Sequence, residues 1–371
     1  MKQIIAKMMK NYNSKKTNNV RGYESMSIYD DVEQIRRELE NDEKLKIKIA
    51  LFGQPGSGKS SLINAIIDEE IAKTGQETDV TQEAQIIEWK DLIFVDLPGY
   101  GTTKFPPNQW FDEFKPEEYD LFLCVFNGKF HEADTSFFQQ LKEEGRVCLF
   151  VRNFSDGIWA KNKGQSELRN DIILDVQLQV KEEVKVFFTS CKDGEGIAEL
   201  TDGIDKALDP AKADKWVRNA KIYSQKDLKK KKELCKNLVY KYSALAAANA
   251  INPIPGVDVG VDVGVIFKLF SEIRKTYGLD NNQLESFVPI LPVAKKVLDY
   301  ATKEGILILL KNFASRYTVK EFSKYIPIVG QVIAATTGFG ITLSAGNSYL
   351  EDCYLLAEKI YLESLKADKV G

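Results

Sequence analysis

At 371 residues, with 44% hydrophobic and 28% charged side chains, the chain has ordinary globular composition and the length of two domains, which excludes global disorder. Its net charge of -3 offers no basic excess, so nucleic acid is not an expected partner. A single histidine, His131, excludes a His-based zinc site and Ser-His-Asp chemistry, and five scattered cysteines without a CxxC pair predict reduced, mostly buried thiols in an intracellular, cytoplasmic protein.

Residues 1–22 are basic and polar, with Lys2, Lys7, Lys10, Lys15, Lys16 and Arg21 and no acid. Ile4, Ile5, Met8 and Met9 share one helical face, so peripheral membrane contact is one reading. A basic tail that packs little is the simpler one. No secretory signal is expected, and Lys2 excludes N-myristoylation. From Tyr29 to Asn41, Val32, Ile35 and Leu39 recur at helical spacing. Residues 1–44 therefore read as a basic tail and a helix.

Residues 45–210 change pattern. "KIKIALFG", "LIFVDLPG", "YDLFLCVF", "RVCLFVRN" and "VKVFFTS" read as buried strands. "KSSLINAIIDEEIA", "EADTSFFQQLKEE", "NDIILDVQLQVKEE" and "GIAELTDGIDKALD" read as the helices between them. Such alternation predicts an α/β domain with a mostly parallel sheet covered on both faces.

After Pro210 the strand signals stop, and residues 211–371 read as an all-helical domain. A long helical region runs to "NPIPG", and helices are expected in "VDVGVIFKLFSEIRKTYG", "VAKKVLDYATKEGILILLKNFA", "VIAATTGFGITLSAG" and "EDCYLLAEKIYLESLKA". Tyr325 to Leu350 carry no charge but include Pro327, Gln331 and Asn347. That stretch is expected to be a buried helical hairpin, not a membrane span.

The chemistry begins at Gly53. Gly53, Gln54, Pro55, Gly56, Ser57, Gly58, Lys59 and Ser60 fit G-x-x-x-x-G-K-[ST], between a strand and a helix that continues with Ser61. Glycines let the backbone N–H groups wrap phosphate oxygens at a helix N-terminus. Lys59 is expected on the β- and γ-phosphates and Ser60 on Mg²⁺. Asp96 ends an apolar strand, where it reaches Mg²⁺ through water, and Gly99 offers its N–H to the γ-phosphate. Asp-x-x-Gly in this order marks GTPases. A mobile threonine must also reach Mg²⁺; Thr81 is the choice and Thr78 the alternative.

The base site departs from [NT]-K-x-D: it reads Asn153-Phe154-Ser155-Asp156. Asp156 is expected to accept from guanine N1 and N2, while the Phe154 ring covers the purine face. Backbone around Ser190 and Cys191 closes on guanine O6. GTP and GDP are therefore the expected ligands. Tyr100 stands after Gly99, where a water-orienting glutamine is usual, so one chain alone is expected to hydrolyse slowly.

"GSGKSSLINA", "DLPGYGTTKFPP", "LFVRNFSD" and "NPIPGVDVGVDVGVIFKLFSEIRKTYGLD" together resemble the immunity-related GTPases, interferon-inducible relatives of dynamin-like proteins. "IPIVGQVIAATTGFGITLSAGNSYLEDCYLLAEKI" extends the likeness, which spans about residues 45–365. The resemblance implies a Ras-like G domain (an α/β P-loop fold) plus an all-α domain formed from N- and C-terminal segments. It implies GTP-dependent self-assembly through G domains, with hydrolysis activated in the dimer. It also implies action at pathogen-containing membranes in animal hosts. Lys59 places the chain with the lysine-containing members. In the family a glutamate before the mobile threonine assists hydrolysis across the dimer; Asp79 stands at that spacing here, with Glu77 nearby.

Overall fold

The computed structural model describes residues 28–72, 84–97, 114–248, 262–314 and 333–367. Helix α1 (Ile28–Lys44) precedes β1 (Ile47–Phe52), α2 (Lys59–Ile67), β2 (Gln85–Trp89), β3 (Leu92–Asp96), β4 (Leu121–Phe126) and α3 (Glu132–Glu143). Then come β5 (Cys148–Arg152), α4 (Gln165–Val180), β6 (Val186–Phe188), α5 (Ile197–Ala207) and α6 (Pro210–Asn219). The remaining elements are α7 (Gln225–Ala248), α8 (Val263–Tyr277), α9 (Asn281–Phe287), α10 (Pro292–Asp299), α11 (Lys303–Ala314) and α12 (Ile333–Ala367).

The six strands form one sheet in the order β2-β3-β1-β4-β5-β6. All neighbours are parallel except β2 and β3, which run antiparallel from Gln85 opposite Asp96 to Trp89 opposite Leu92. The central strands are apolar because both faces are covered, as parallel sheets require. One face buries Ile49, Leu51, Leu62, Leu123, Val151 and Trp216. The other buries Phe52, Phe122, Phe137 and Phe150, with the Phe52 and Phe137 rings edge-to-face at 4.2 Å. Strand β2 adds to the five that the apolar runs predict. It escapes that reading because Ile86 points outward at the sheet edge, and its turn is Lys90-Asp91 without the usual glycine or asparagine. Lys90 takes the left-handed conformation itself, with φ 54°.

The third cluster is helical. Leu39 of α1 joins Val239, Phe270, Ile306, Tyr349 and Leu356, so the helix before β1 packs with helices from the end of the chain. Helix α6 packs the other way: Trp216 is fully buried against the sheet, edge-to-face with Phe94 at 6.4 Å. The expected long helix after Pro210 is thus two helices, α6 and α7, separated at residues 220–224. Residues 293–314 likewise divide into α10 and α11.

The expected hairpin within Tyr325–Leu350 is corrected where it is described. From Ile333 the chain is one helix of 35 residues running through Asn347 to Ala367. Gly346 serves close packing within this helix: a Cβ there would lie 2.8 Å from Val239 Cγ1 of α7. Among the described residues no helix is long and apolar enough to cross a membrane. The basic start, residues 1–22, lies outside the described residues.

Where α6, α7 and α8 meet, Lys231 is buried and its Nζ donates to the carbonyls of Arg218 at 2.9 Å and Thr276 at 2.8 Å. Desolvation, reinforced by Lys90 and Arg218 and opposed by Asp227 and Cys235, brings its ammonium down from 10.5 to about 7. Folding therefore favours the neutral amine. Above about pH 7 the unfolded chain holds a proton at Lys231 that the folded chain has released. Stability from this group should rise with pH between about 7 and 10.5, by at most about 1.4 kcal/mol per pH unit. Urea midpoints at pH 7 and 8.5 should show the rise, and Lys231→Met should flatten it.

Candidate nucleotide site

The phosphate loop leaves β1 at the middle of the sheet. Gly53 has φ 140°, and a Cβ there would lie 1.9 Å from the carbonyl oxygen of Val125 on β4. Gly58 has φ 83°, and a Cβ would meet Asn153 Nδ2 at 2.4 Å and the Phe154 ring at 2.9 Å. Only glycine fits either place. Between them Ser57 N–H donates to the Gln54 carbonyl at 3.1 Å, closing a turn that contains Pro55 and Gly56. Helix α2 then opens at Lys59, Ser60 and Ser61, with no acid in its first turn and no side-chain cap, so its dipole faces the loop uncompensated.

Lys59 is 6% exposed, donates to the Gly53 carbonyl at 3.2 Å and lies 3.6 Å from Asp96 Oδ1. Asp96, 2% exposed at the end of β3, accepts from Ser60 Oγ on Oδ2 at 2.6 Å. Among the described residues its buried Oδ1 accepts no hydrogen bond. A buried carboxylate oxygen with a lone pair to spare, beside a serine hydroxyl, is the hard-oxygen donor set that suits Mg²⁺. The three residues, named from two separate motifs, are brought together.

Two residues that no motif indicated steady the loop. Asn127, just past β4, donates from Nδ2 to the Gly56 carbonyl at 2.9 Å. Asp134 on α3 accepts from Gln54 Nε2 at 3.2 Å, and burial raises its carboxyl above the usual range. A lone acid eighty residues from its partner carries no spacing signal in a sequence.

The base loops follow β5 and β6. Asn153 is 1% exposed and does not face solvent: Nδ2 donates to the Ser57 carbonyl at 3.1 Å, while Oδ1 accepts from Thr189 Oγ1 at 3.2 Å and Cys191 Sγ at 3.4 Å. It therefore joins the phosphate loop to both base loops. Phe154 stands in the left-handed region, φ 55°, with its ring against Gly58 and 45% exposed. Asp156 is exposed on the short turn Ser155–Gly157. Ser190 gives its N–H to the Glu195 carbonyl at 2.9 Å, and burial pushes the Cys191 thiol up to about 11. Thr81, Thr78, Asp79, Glu77, Gly99 and Tyr100 lie outside the described residues.

A mostly parallel sheet whose central strand delivers a glycine loop onto a Lys–Asp–Ser set, with a second pair of loops set against that glycine loop, defines a P-loop G protein. The family model described as "Interferon-inducible GTPase (IIGP)" matches residues 21–303, and the chain belongs to that family of GTPases. It is similar to interferon-gamma-inducible GTPase 10 of Mus musculus, 23% identical over 356 residues that cover 89% of this chain and 85% of that one. It is also similar to interferon-inducible GTPase 5 of Rattus norvegicus, 21% identical over 387 residues, covering 94% and 82%. A shorter match, 32% identical over 156 residues, is to a probable GTP-binding protein EngB of Koribacter versatilis and covers 38% of this chain and 72% of that one. Among solved structures, a probable GTP-binding protein engB is 22% identical, covers 43% of this chain and 97% of its own, and has a TM-score of 0.34.

Proposed function

We propose that this chain binds Mg²⁺·GTP in the loop of residues 53–61, hydrolyses it slowly alone, and turns it over when two copies pair. The observation that supports the reading is the buried pair Lys59 and Asp96 beside the half-buried Ser60, with Asp96 Oδ1 left without a hydrogen-bond partner among the described residues. Lys59 would leave the Gly53 carbonyl and neutralise charge on the β- and γ-phosphates. Ser60, Asp96 and Thr81 would hold Mg²⁺, which when bound neutralises phosphate charge. Gly99 would give its N–H to the γ-phosphate. Asp156 would take guanine N1 and N2, Phe154 would cover the base, and the O6 donor falls to the Cys191 backbone.

Catalysis by one copy lacks a water-orienting glutamine, because Tyr100 follows Gly99. A second copy would bring Asp79 and Thr81 to bear on the phosphate, making the assembly the active species. Membrane contact through residues 1–22 would then be peripheral and cytoplasmic. Turnover of GTP, ATP and XTP should be measured over a hundredfold range of protein concentration. GTP alone should be hydrolysed well, and its turnover per molecule should rise with concentration. A flat profile near the slow intrinsic rate of small G proteins would remove pairing from the reading.

A further inference from the structure

Glu195 lies outside every motif of the nucleotide site, yet it joins both base loops. Its Oε2 accepts from Ser155 Oγ at 2.6 Å, and Ser155 is fully buried between Phe154 and Asp156. Its Oε1 accepts from the Arg169 guanidinium of α4. Arg169 in turn lies 5.1 Å over the Phe188 ring, at the end of the strand that leads into the second loop. The main chain repeats the connection. Ser155 N–H donates to the Thr189 carbonyl at 2.9 Å, and Ser190 N–H donates to the carbonyl of Glu195 itself at 2.9 Å.

The backbone around Glu195 is shaped for this contact. Gly194 and Gly196 on either side have φ 78° and 72°. A Cβ on Gly196 would lie 1.8 Å from the Phe188 carbonyl oxygen, so the loop is pressed onto the end of β6. Glu195 N–H is fixed by Asp193 Oδ1 at 3.1 Å. Arg169 and Ser155 together hold the Glu195 carboxyl below the usual carboxylate range, so the acceptor is ionised at neutral pH. Hydroxyl-to-carboxylate bonds of this kind are charge-assisted and short.

We infer that Glu195 is a specificity-determining positioning residue, which sets the distance between the loop carrying Phe154 and Asp156 and the loop carrying Cys191. The inference rests on the reading of Asp156 as the acceptor for guanine N1 and N2. A purine held by an acceptor on one loop and a donor on the other is selected only while the loops keep their spacing. A site built to hydrogen-bond a polar group discriminates strongly when its own polar groups are held in place. Glu195 touches Ser155 and not the base, so its effect on the nucleotide is indirect.

The test uses the full chain, a fluorescent GDP, and competition between GTP and ITP, which lacks the exocyclic amine. Glu195→Ala should speed GDP release about tenfold and reduce GTP-over-ITP discrimination by a similar factor, the scale of one lost charged hydrogen bond. Glu195→Gln keeps an acceptor for Ser155 and should stay within about threefold of the unmodified chain. Ser155→Ala should approach Glu195→Ala, which also frees Arg169, and the double variant should be no worse than Glu195→Ala alone, because the Ser155–Glu195 bond is common to both. Additive effects, or a lowered melting temperature with discrimination unchanged, would overturn the assignment to positioning. Asp156→Asn separates the two levels. If it leaves guanine preference intact, the base reading itself fails. If it shifts preference while Glu195→Ala and Ser155→Ala change release by less than twofold, only the role of Glu195 fails.

Discussion

Lys59→Ala should lower affinity for the magnesium complex of a non-hydrolysable GTP analogue on the order of a hundredfold or more, and Ser60→Asn should do the same by a different route. The two side chains converge on Asp96, at 3.6 Å and 2.6 Å. Without Lys59 the β- and γ-phosphates would lose the ammonium that offsets the buried Asp96 carboxylate, leaving Mg²⁺ as the cation beside them. Without the Ser60 hydroxyl the metal would lose an oxygen ligand, and the larger amide would crowd Asp96. The second loss is confined to the metal-bearing state, so Ser60→Asn should weaken the triphosphate more than GDP. Lys59→Ala also leaves Asp96 buried without its neighbour, which costs stability in the free protein. The melting temperature without nucleotide therefore has to be measured beside the affinity. Titration calorimetry decides the matter: triphosphate affinity within about threefold of the unmodified chain in both variants would show that phosphate binds elsewhere.

Lys59, Ser60 and Asp96 were legible because their signals are local. Asp96 ends an apolar strand, Lys59 and Ser60 open the helix that follows another, and strand ends at the middle of a mostly parallel sheet converge. The same reasoning found the other five strands, with residues such as Ile49, Leu51 and Leu123 fully buried. It missed β2 because an edge strand needs only one buried face, and Ile86 on its outer face blurs the pattern. It also divided α12 at residues 347–350. Gly346 is tolerated mid-helix because Val239 occupies the space a side chain would take, which is a property of α7 and invisible in the local sequence. Trp216 illustrates the converse. Its helix follows Pro210, where strand signals stop, yet the indole lies in the core beneath the sheet.

The base site was half legible. The order Asn153-Phe154-Ser155-Asp156 after a strand marked its place, and Asn153 proves to be the joint between three loops. Nothing in the sequence ties Ser155 to Glu195, forty residues on, or Gln54 to Asp134, eighty residues on. Those contacts depend on how β4, β5 and β6 lie side by side. A parallel sheet brings the ends of strands distant in sequence to one edge, and residues there meet without a spacing rule.

Asp156→Asn should turn the chain from a guanine to a xanthine nucleotide binder. Asp156 is exposed on a turn that Ser155 anchors from below, so its carboxylate is free to face a ligand. Guanine offers two donors on one edge, N1–H and the exocyclic amine, and a carboxylate accepts both. An amide accepts one and presents a donor to the other, which leaves a clash of like groups. Loss of GTP affinity on the order of a hundredfold or more follows, since an unpaired polar group costs more than the bond it replaces. Xanthine carries an oxygen in place of the amine, and the asparagine amide donates to it, so XTP affinity should rise as GTP affinity falls. Phe154 supplies the contrast. Its ring touches Gly58 and is 45% exposed, so it contributes stacking and no hydrogen-bond code. Phe154→Ala should weaken GTP and XTP alike, by about tenfold at the strength of base–aromatic stacking. Competition of GTP, XTP and ATP against one fluorescent nucleotide reads all three effects. Equal competition by GTP and ATP in the unmodified chain would show that Phe154 has displaced guanine selection. An Asp156→Asn variant that still prefers GTP over XTP would move the base to other residues.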